Sequence, residues 1–312
     1  MNGEPLDIEK VYHDIYELSE SVDMENDPEG TGKAWALLWS IEGIIQELPQ
    51  HYFTIYDVCE NYSVFATNII ETNSAVITFN WDTFLDEALF KTDRWFYESG
   101  YGFEFERIYL DREQIDNRKR VSSTLLLKPH GSINWFCYRD HHSSTTDGFT
   151  GESVSDEDRS KTFLMLFSRD KIGIHPIHKR LDMAKGWKPP LKMPCGLDII
   201  YPSKKSRAWI RMRNYILIRD KMTTLLKEAD EIFFIGFALK DLDADEFRDI
   251  KVKETMTMTL VNLDHSEELV SRYKKVFKTD KIKFDVEKTF KDYCQSLPNK
   301  KRGNEVSNLH TS

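Results

Sequence analysis

The sequence predicts an α/β protein built on a mostly parallel sheet, and three observations predict it. Short apolar runs of strand length, bounded by polar residues, recur at Ala75–Phe79, Thr124–Leu127, Leu197–Tyr201, Glu231–Ile235 and Met258–Leu263. Helix-like segments lie between several of them, and that alternation is the signature of parallel strands with covered faces. The first quarter of the chain differs in texture, because its apolar residues keep helical spacing. We therefore expect one domain over residues 1–295, with a helical subdomain over about 1–70 and a sheet-based core over about 71–295.

The elements follow in order. Leu6, Ile8, Val11, Tyr12, Ile15 and Leu18 place a helix over Leu6–Leu18. The run Asn26-Asp27-Pro28-Glu29-Gly30 forms a loop before two more helical stretches, Ala34–Leu48 and Phe53–Ile70. From Arg139 to Lys161 the chain is almost wholly polar and has no periodicity, which predicts an exposed loop or lid. A long helix over Ala208–Ala229 carries Arg and Lys on one face and Ile, Leu and Met on the other, then runs into the Glu231–Ile235 strand. A strand at Ile282–Val286 and a short helix finish the fold, and residues 296–312 read as a disordered tail.

Composition narrows the function classes. With 43 Lys+Arg against 52 Asp+Glu the net charge is -9, which argues against a general nucleic-acid binder, since such a protein gains affinity by releasing phosphate counterions onto a basic face, and leaves room for a local basic patch. At 40% hydrophobic and 12% aromatic it has ample material for a core. No apolar run is long enough to span a bilayer, and the start MNGEPLDIEK lacks the cationic and apolar regions of a secretion signal. The expectation is a soluble cytoplasmic protein in a reducing compartment. Cys59, Cys137, Cys195 and Cys294 are far apart, so they make neither a C-x-x-C zinc pair nor a disulfide framework and read as small buried hydrophobes.

Several motifs fail on their chemistry. Gly30-Thr31-Gly32-Lys33 has Asp27 where a phosphate loop needs Gly, Ala34 where it needs Ser or Thr, and no strand before it. His175 and His178 lack an acid or cysteine at ligand spacing, and Pro176 breaks a helical pair, so they read as surface loop residues, as do His141 and His142. There is no G-x-S-x-G elbow and no H-E-x-x-H.

Three strand ends do carry chemistry, at the place where open α/β sheets bind ligands. The first, Val76-Ile77-Thr78-Phe79-Asn80-Trp81-Asp82, delivers an Asn and an Asp able to read an amide or a sugar hydroxyl. The second, Leu125-Leu126-Leu127-Lys128-Pro129-His130-Gly131-Ser132, delivers a histidine that serves as a base near neutral pH and a glycine that lets a ligand approach the backbone. The third, Ile232-Phe233-Phe234-Ile235-Gly236-Phe237-Ala238-Leu239 with Asp243, is followed by a strand closing on Val261-Asn262-Leu263-Asp264. Taken singly, Asn80 reads as a helix cap, His130 as a satisfied buried histidine and Gly236 as a turn.

Their joint order resembles the sirtuin-like domain family, particularly the bacterial sirtuin-like NAD hydrolases of anti-phage defence systems, from Ser74 to Asp264. The pieces look like the family's T-x-N-x-D strand end (Thr78, Asn80, Asp82), its K-x-H-G-S segment (Lys128, His130, Gly131, Ser132), a proline-plus-lysine stretch (Tyr201-Pro202-Ser203-Lys204) and a G-[FY]-S-L-x-x-x-D segment (Gly236, Phe237, Ala238, Leu239, Asp243). The resemblance implies a Rossmann-like sheet with a smaller helical subdomain that binds NAD as substrate and breaks the nicotinamide–ribose bond.

By the same resemblance Asn80 and Asp82 position the ribose, the attacking water and the carboxamide, and His130 is the general base, a role typically worth about 10²–10⁴-fold in rate. Gly236 and Asn262 are placed against the phosphates and the adenosine ribose, with Thr78, Gly131, Ser132 and Phe237 also lining the NAD site. Trp81 and Trp135 are candidates for walling it against solvent, and at least one of them for core packing.

Two departures accompany the match. The family opens with a buried strand and a G-A-G-x-S loop that cradles the pyrophosphate, and nothing in this sequence matches it. The resemblance then implies an N-terminally incomplete version, a partner that supplies the unit, or a member that binds NAD weakly or not at all. Ala238 stands where the family usually has Ser. Without any C-x-x-C the chain resembles the hydrolase branch and not the zinc-containing protein deacylases, so no metal is expected. The expected partners are further copies of the chain and a phage-sensing protein such as an ATPase or an Argonaute-like protein. The alternative is a non-catalytic nucleotide-binding or scaffolding subunit of a defence complex.

Overall fold

The structure, a computed structural model, describes residues 8–21, 27, 29–30, 33–34, 36–38, 40–45, 60–110, 113–114, 120–137, 141–145, 148–152, 161–166, 196–199, 213–239, 241–247, 250–263, 266–286 and 289–297. The stretch at Tyr201–Lys204, His175, His178, Cys59, Cys195, Asp264 and the tail beyond residue 297 lie outside the described residues. So does the first part of the helix expected at Phe53–Ile70.

The chain is an α/β protein with several small sheets. Helix α1 (Ile8–Ser21) matches the expected first helix, and residues 40–45 are helical within the second. Helix α2 (Glu60–Thr72) buries Phe65, Ala66, Ile69 and Ile70, positions one helical turn apart, and after three intervening residues the chain enters strand β1 (Val76–Ile77). Helices α3 (Phe84–Phe90) and α4 (Tyr97–Gly100) lead to β2 (Arg107–Leu110) and β3 (Glu113–Gln114). Next come β4 (Leu126–Leu127), β5 (Gly131–Cys137), the pair β6 (His141–Thr145) and β7 (Gly148–Glu152), then β8 (Thr162–Leu166) and β9 (Gly196–Ile199). Helix α5 (Arg213–Glu228) buries Tyr215, Ile218, Met222 and Leu226 and hands over to β10 (Glu231–Ile235). Helix α6 (Asp241–Phe247), β11 (Thr257–Asn262), α7 (Glu267–Phe277), β12 (Ile282–Val286) and α8 (Phe290–Ser296) complete the order.

Parallel pairing is present but divided. Strand β1 pairs parallel with β4, and β10, β11 and β12 form a separate parallel sheet in that order. The two groups share one hydrophobic core in which Leu126, Leu127, Phe234 and Leu260 are buried, so the expected single sheet is replaced by two parallel pieces in common packing.

A third sheet, ordered β3-β2-β8-β5-β9, is mixed: β2 runs parallel to β8, while β3 on β2 and β5 against both β8 and β9 are antiparallel. Of the run expected as a parallel strand at Leu197–Tyr201, the described part, Leu197–Ile199, thus belongs to an antiparallel ladder. In β8, Leu164 belongs to the main core, while Phe163 and Met165 face a second cluster formed with Tyr12, Leu38 and Ile41 of the N-terminal helical region. Alternate residues serve two cores, which is why Thr162–Met165 is buried without a polar face. The polar segment expected as a loop over 139–161 carries the antiparallel hairpin β6–β7, with Ser144 opposite Phe149.

Candidate functional site

The pairing of β1 with β4 fixes where their ends fall. Register places Val76 beside Leu126 and Ile77 beside Leu127, and the Thr78 amide still donates to the Leu127 carbonyl at 2.9 Å. Parallel strands finish on the same side, so Thr78–Asp82 and Lys128–Gly131 leave the sheet together. The β10 and β11 ends, Gly236-Phe237-Ala238 and Asn262-Leu263, leave at their own shared end, where the Gly236 amide donates to the Val261 carbonyl at 2.8 Å.

Phe79 joins the two groups. Its ring stacks on Phe237 at 4.9 Å between centroids and 18° between planes, and meets the half-buried His130 imidazole edge-on at 4.8 Å and 80°. Phe247 of α6 closes the cluster at 5.8 Å from Phe79. His130 and the Gly236-Phe237 corner, predicted as parts of one site from segments a hundred residues apart, are therefore neighbours of a single ring. Asn80 follows Phe79 directly and is exposed.

The remaining predicted residues divide between exposed and structural positions. The Asn80 amide donates to Thr78 Oγ1 at 3.2 Å, so Thr78 shapes the turn. Asp82 accepts the Phe84 amide on Oδ1 at 3.1 Å, a turn that leads into α3 just before its N-cap residue Thr83, which makes no side-chain cap bond, so Asn80 does not cap the helix as the sequence alone suggested. Ser132 is buried, and its hydroxyl donates to the Trp81 carbonyl at 3.2 Å. Asn262 donates from Nδ2 to the Phe237 carbonyl at 3.4 Å, tying the ends of β10 and β11. Trp135 belongs to the core, edge-on to Tyr101 at 5.0 Å, while Trp81 is half-buried near Tyr12.

The two glycines differ. Gly236 has φ +63° and is exposed, and a Cβ there would meet nothing within 4 Å, which is the open approach a ligand needs. Gly131 has φ +79°, but a Cβ there would lie 2.1 Å from the Asp198 carbonyl oxygen of β9. The expectation that Gly131 opens the backbone to a ligand is corrected: its missing side chain makes room for the neighbouring strand.

Sequence reasoning missed the ion pair beneath the site. Lys128 and Asp86 are both buried, with Nζ 3.2 Å from Oδ2 and 3.4 Å from Oδ1, and the same Nζ donates to the Asp82 carbonyl. Tyr101 donates to Asp86 and receives Asn134 Nδ2 at 3.4 Å. Burial raises the Asp86 pKa above the ordinary carboxylate value, opposed by Lys128 and Tyr101, and burial pushes the Tyr101 hydroxyl well up. Arg272 and Tyr273 of α7 were also missed; they donate to the Ala238 and Phe237 carbonyls at 2.9 and 2.8 Å and hold the Gly236 corner.

Among the described residues no group of three or more His, Cys, Asp or Glu is placed to hold a metal ion, and no helix is long and apolar enough to cross a membrane. A surface pocket of about 410 Å³ between α2 and α3, lined by Ser63, Thr67, Glu71, Lys91 and Arg94, contains none of the strand-end residues. No protein-family model matches the chain, and no curated protein matches it either.

Proposed function

We propose that this protein is an NAD glycohydrolase that releases nicotinamide and ADP-ribose, with a sirtuin-like, Rossmann-type arrangement of its parallel strands. The observation that carries the reading is the meeting of His130, Phe79 and the Gly236-Phe237 corner at the strand ends. The open space at Gly236 fits the close approach of a nucleotide, whereas Gly131 offers none.

The chemistry asks little of an acid, because nicotinamide leaves as a neutral molecule while positive charge builds on the ribose ring. It asks for orientation of the carboxamide and ribose, a base for a ribose hydroxyl or water, and exclusion of bulk water. In this reading Asn80 supplies the exposed amide, His130 the base, and Asp82, two residues past Asn80, a negative charge on the same segment. Phe79 and Phe237 form an apolar wall with planar faces on which a ring of the dinucleotide stacks. Ser132, Thr78 and Asn262 shape the site through the hydrogen bonds described above, and Gly131 by letting β9 pack against the strand end.

The setting we propose is a cytoplasmic effector that depletes NAD in anti-phage defence, assembled from several copies and switched by a sensor such as an ATPase or an Argonaute-like protein. One observation favours a second reading, a binding-only subunit: the backbone beside His130 is filled at Gly131 by strand β9 and leaves a ligand no approach there. The test is nicotinamide release from NAD by the purified protein, alone and with its assembly partners. His130→Ala and Asn80→Ala are each expected to slow it by about 10²-fold or more; micromolar NAD binding with no release by the parent would favour the binding-only subunit.

A further inference from the structure

We propose that the buried Lys128–Asp86 pair is a positioning device that holds the Asn80–Asp82 segment beside His130. Lys128 then acts on the site through that segment and not by touching a ligand. The activity arm of this proposal rests on the NAD-hydrolase reading; the structural arm does not.

Three donors of one short stretch grip two successive carbonyl oxygens of the Asn80–Asp82 segment. Ser132 Oγ and the Ile133 amide reach the Trp81 carbonyl at 3.2 and 3.0 Å, and Lys128 Nζ reaches the Asp82 carbonyl. The grip is returned from the other side. The Asp82 side chain accepts the amide of Phe84, the first residue of α3, and two residues further on the helix presents Asp86 to the same Nζ. Tyr101 and Asn134 extend the chain of bonds from Asp86 to β5. A loop of contacts therefore runs from Lys128 through α3 to β5 and back, and it encloses the segment that carries Asn80.

Burying this pair is expensive. Side-chain exposure is 0% for Lys128 and 1% for Asp86, and two ions taken out of water cost several kcal/mol each before their attraction repays it. Apolar residues of similar size serve stability as well or better. What they do not supply is a donor aimed at a backbone carbonyl two residues past Asn80. Lys128 also lies two residues before His130, so the anchor of one partner and the side chain of the other leave the same strand.

The test separates position from stability. Lys128→Met combined with Asp86→Leu exchanges both ions for apolar groups, so the chain is expected to fold still, with its unfolding midpoint lowered only by the partners that the Tyr101 hydroxyl and the Asp82 carbonyl lose. Amide hydrogen exchange over residues 80–84 is expected to speed up about ten- to hundredfold, the worth of one charged hydrogen bond. NAD turnover is expected to fall about 10²-fold with little change in KM, as misplacement of a reacting group does. A stable double variant whose exchange at 80–84 is unchanged overturns the proposal. If the parent releases no nicotinamide but the exchange responds, the positioning stands and the hydrolase reading fails. Should the double variant not fold, Lys128→Arg decides: it keeps the charge opposite Asp86, and exchange at 80–84 equal to the parent's overturns the proposal while faster exchange supports it.

Discussion

Gly131 and Gly236 make a paired prediction, because both have positive φ and only one has a neighbour in the way. Alanine at either position meets the left-handed penalty of about 1–2 kcal/mol. At Gly131 the added carbon would also lie 2.1 Å from the Asp198 carbonyl oxygen, 2.9 Å from Ile199 Cα and 2.9 Å from the Tyr215 hydroxyl. The first two are backbone atoms of β9, which pairs with β5 and cannot swing aside as a side-chain tip does. Relief of such overpacking typically costs about 1–3 kcal/mol more, so Gly131→Ala is expected to lose about 2–5 kcal/mol in all. Gly236→Ala, with no atom within 4 Å, loses only the first contribution. Urea unfolding followed by tryptophan fluorescence measures both. Equal losses in the two variants would refute the assignment of Gly131 to strand packing and of Gly236 to open space.

Three further outcomes follow from local geometry. Thr289→Ala removes a capping box in which Thr289 and Asp292 satisfy each other's amides, and is expected to cost about 1 kcal/mol in a urea titration. Phe79→Ala strips the ring shared by His130, Phe237 and Phe247; the site is half-buried, so about 2–3 kcal/mol is expected, with a change in His130 ring proton shifts by NMR. Asp86 has a folded-state pKa raised above 3.8, so it holds its proton more tightly folded than unfolded. Its contribution is fully present below the unfolded pKa and is lost as pH rises through the folded one. The stability of the parent minus that of Asp86→Asn is therefore expected to fall as pH rises from below 3.8 through the raised folded-state value, read from urea midpoints; a flat or rising difference contradicts the raised pKa.

The parts of the fold that were legible are those whose burial follows a simple period. Strands Glu231–Ile235 and Ile282–Val286 coincide with the structure to the residue, and α5 buries the Ile, Leu and Met face that its spacing announced. The mixed sheet was not legible. Strand β5, Gly-Ser-Ile-Asn-Trp-Phe-Cys, is buried on both faces and carries an irregularity between Gly131 and Phe136, so it shows no alternation to read. Strand β8 serves two cores and loses its polar face for the same reason. The hairpin β6–β7 is built from His, Ser, Thr and Gly, whose pairing rests on backbone bonds and not on an apolar pattern.

At the site, the strand-end positions were legible because Asn, Asp, His and Gly end otherwise apolar runs. The supporting shell was not: Asp86, Tyr101, Arg272 and Tyr273 meet those ends only after folding brings α3, α4 and α7 against them. Gly131 is the instructive case. A glycine after a histidine at a strand end has the same appearance whether a ligand or a neighbouring strand fills the space, and only the position of β9 decides.

The central claim is that positions 80 and 130 act on a single bound dinucleotide, and a double-mutant cycle reads it most directly. Nicotinamide release is measured for the parent, Asn80→Ala, His130→Ala and the pair together. Groups that work on one sugar ring are expected to be strongly non-additive, with the pair no slower than the slower single variant. Independent, multiplicative losses, or release that survives both substitutions at the parent rate, would contradict the account.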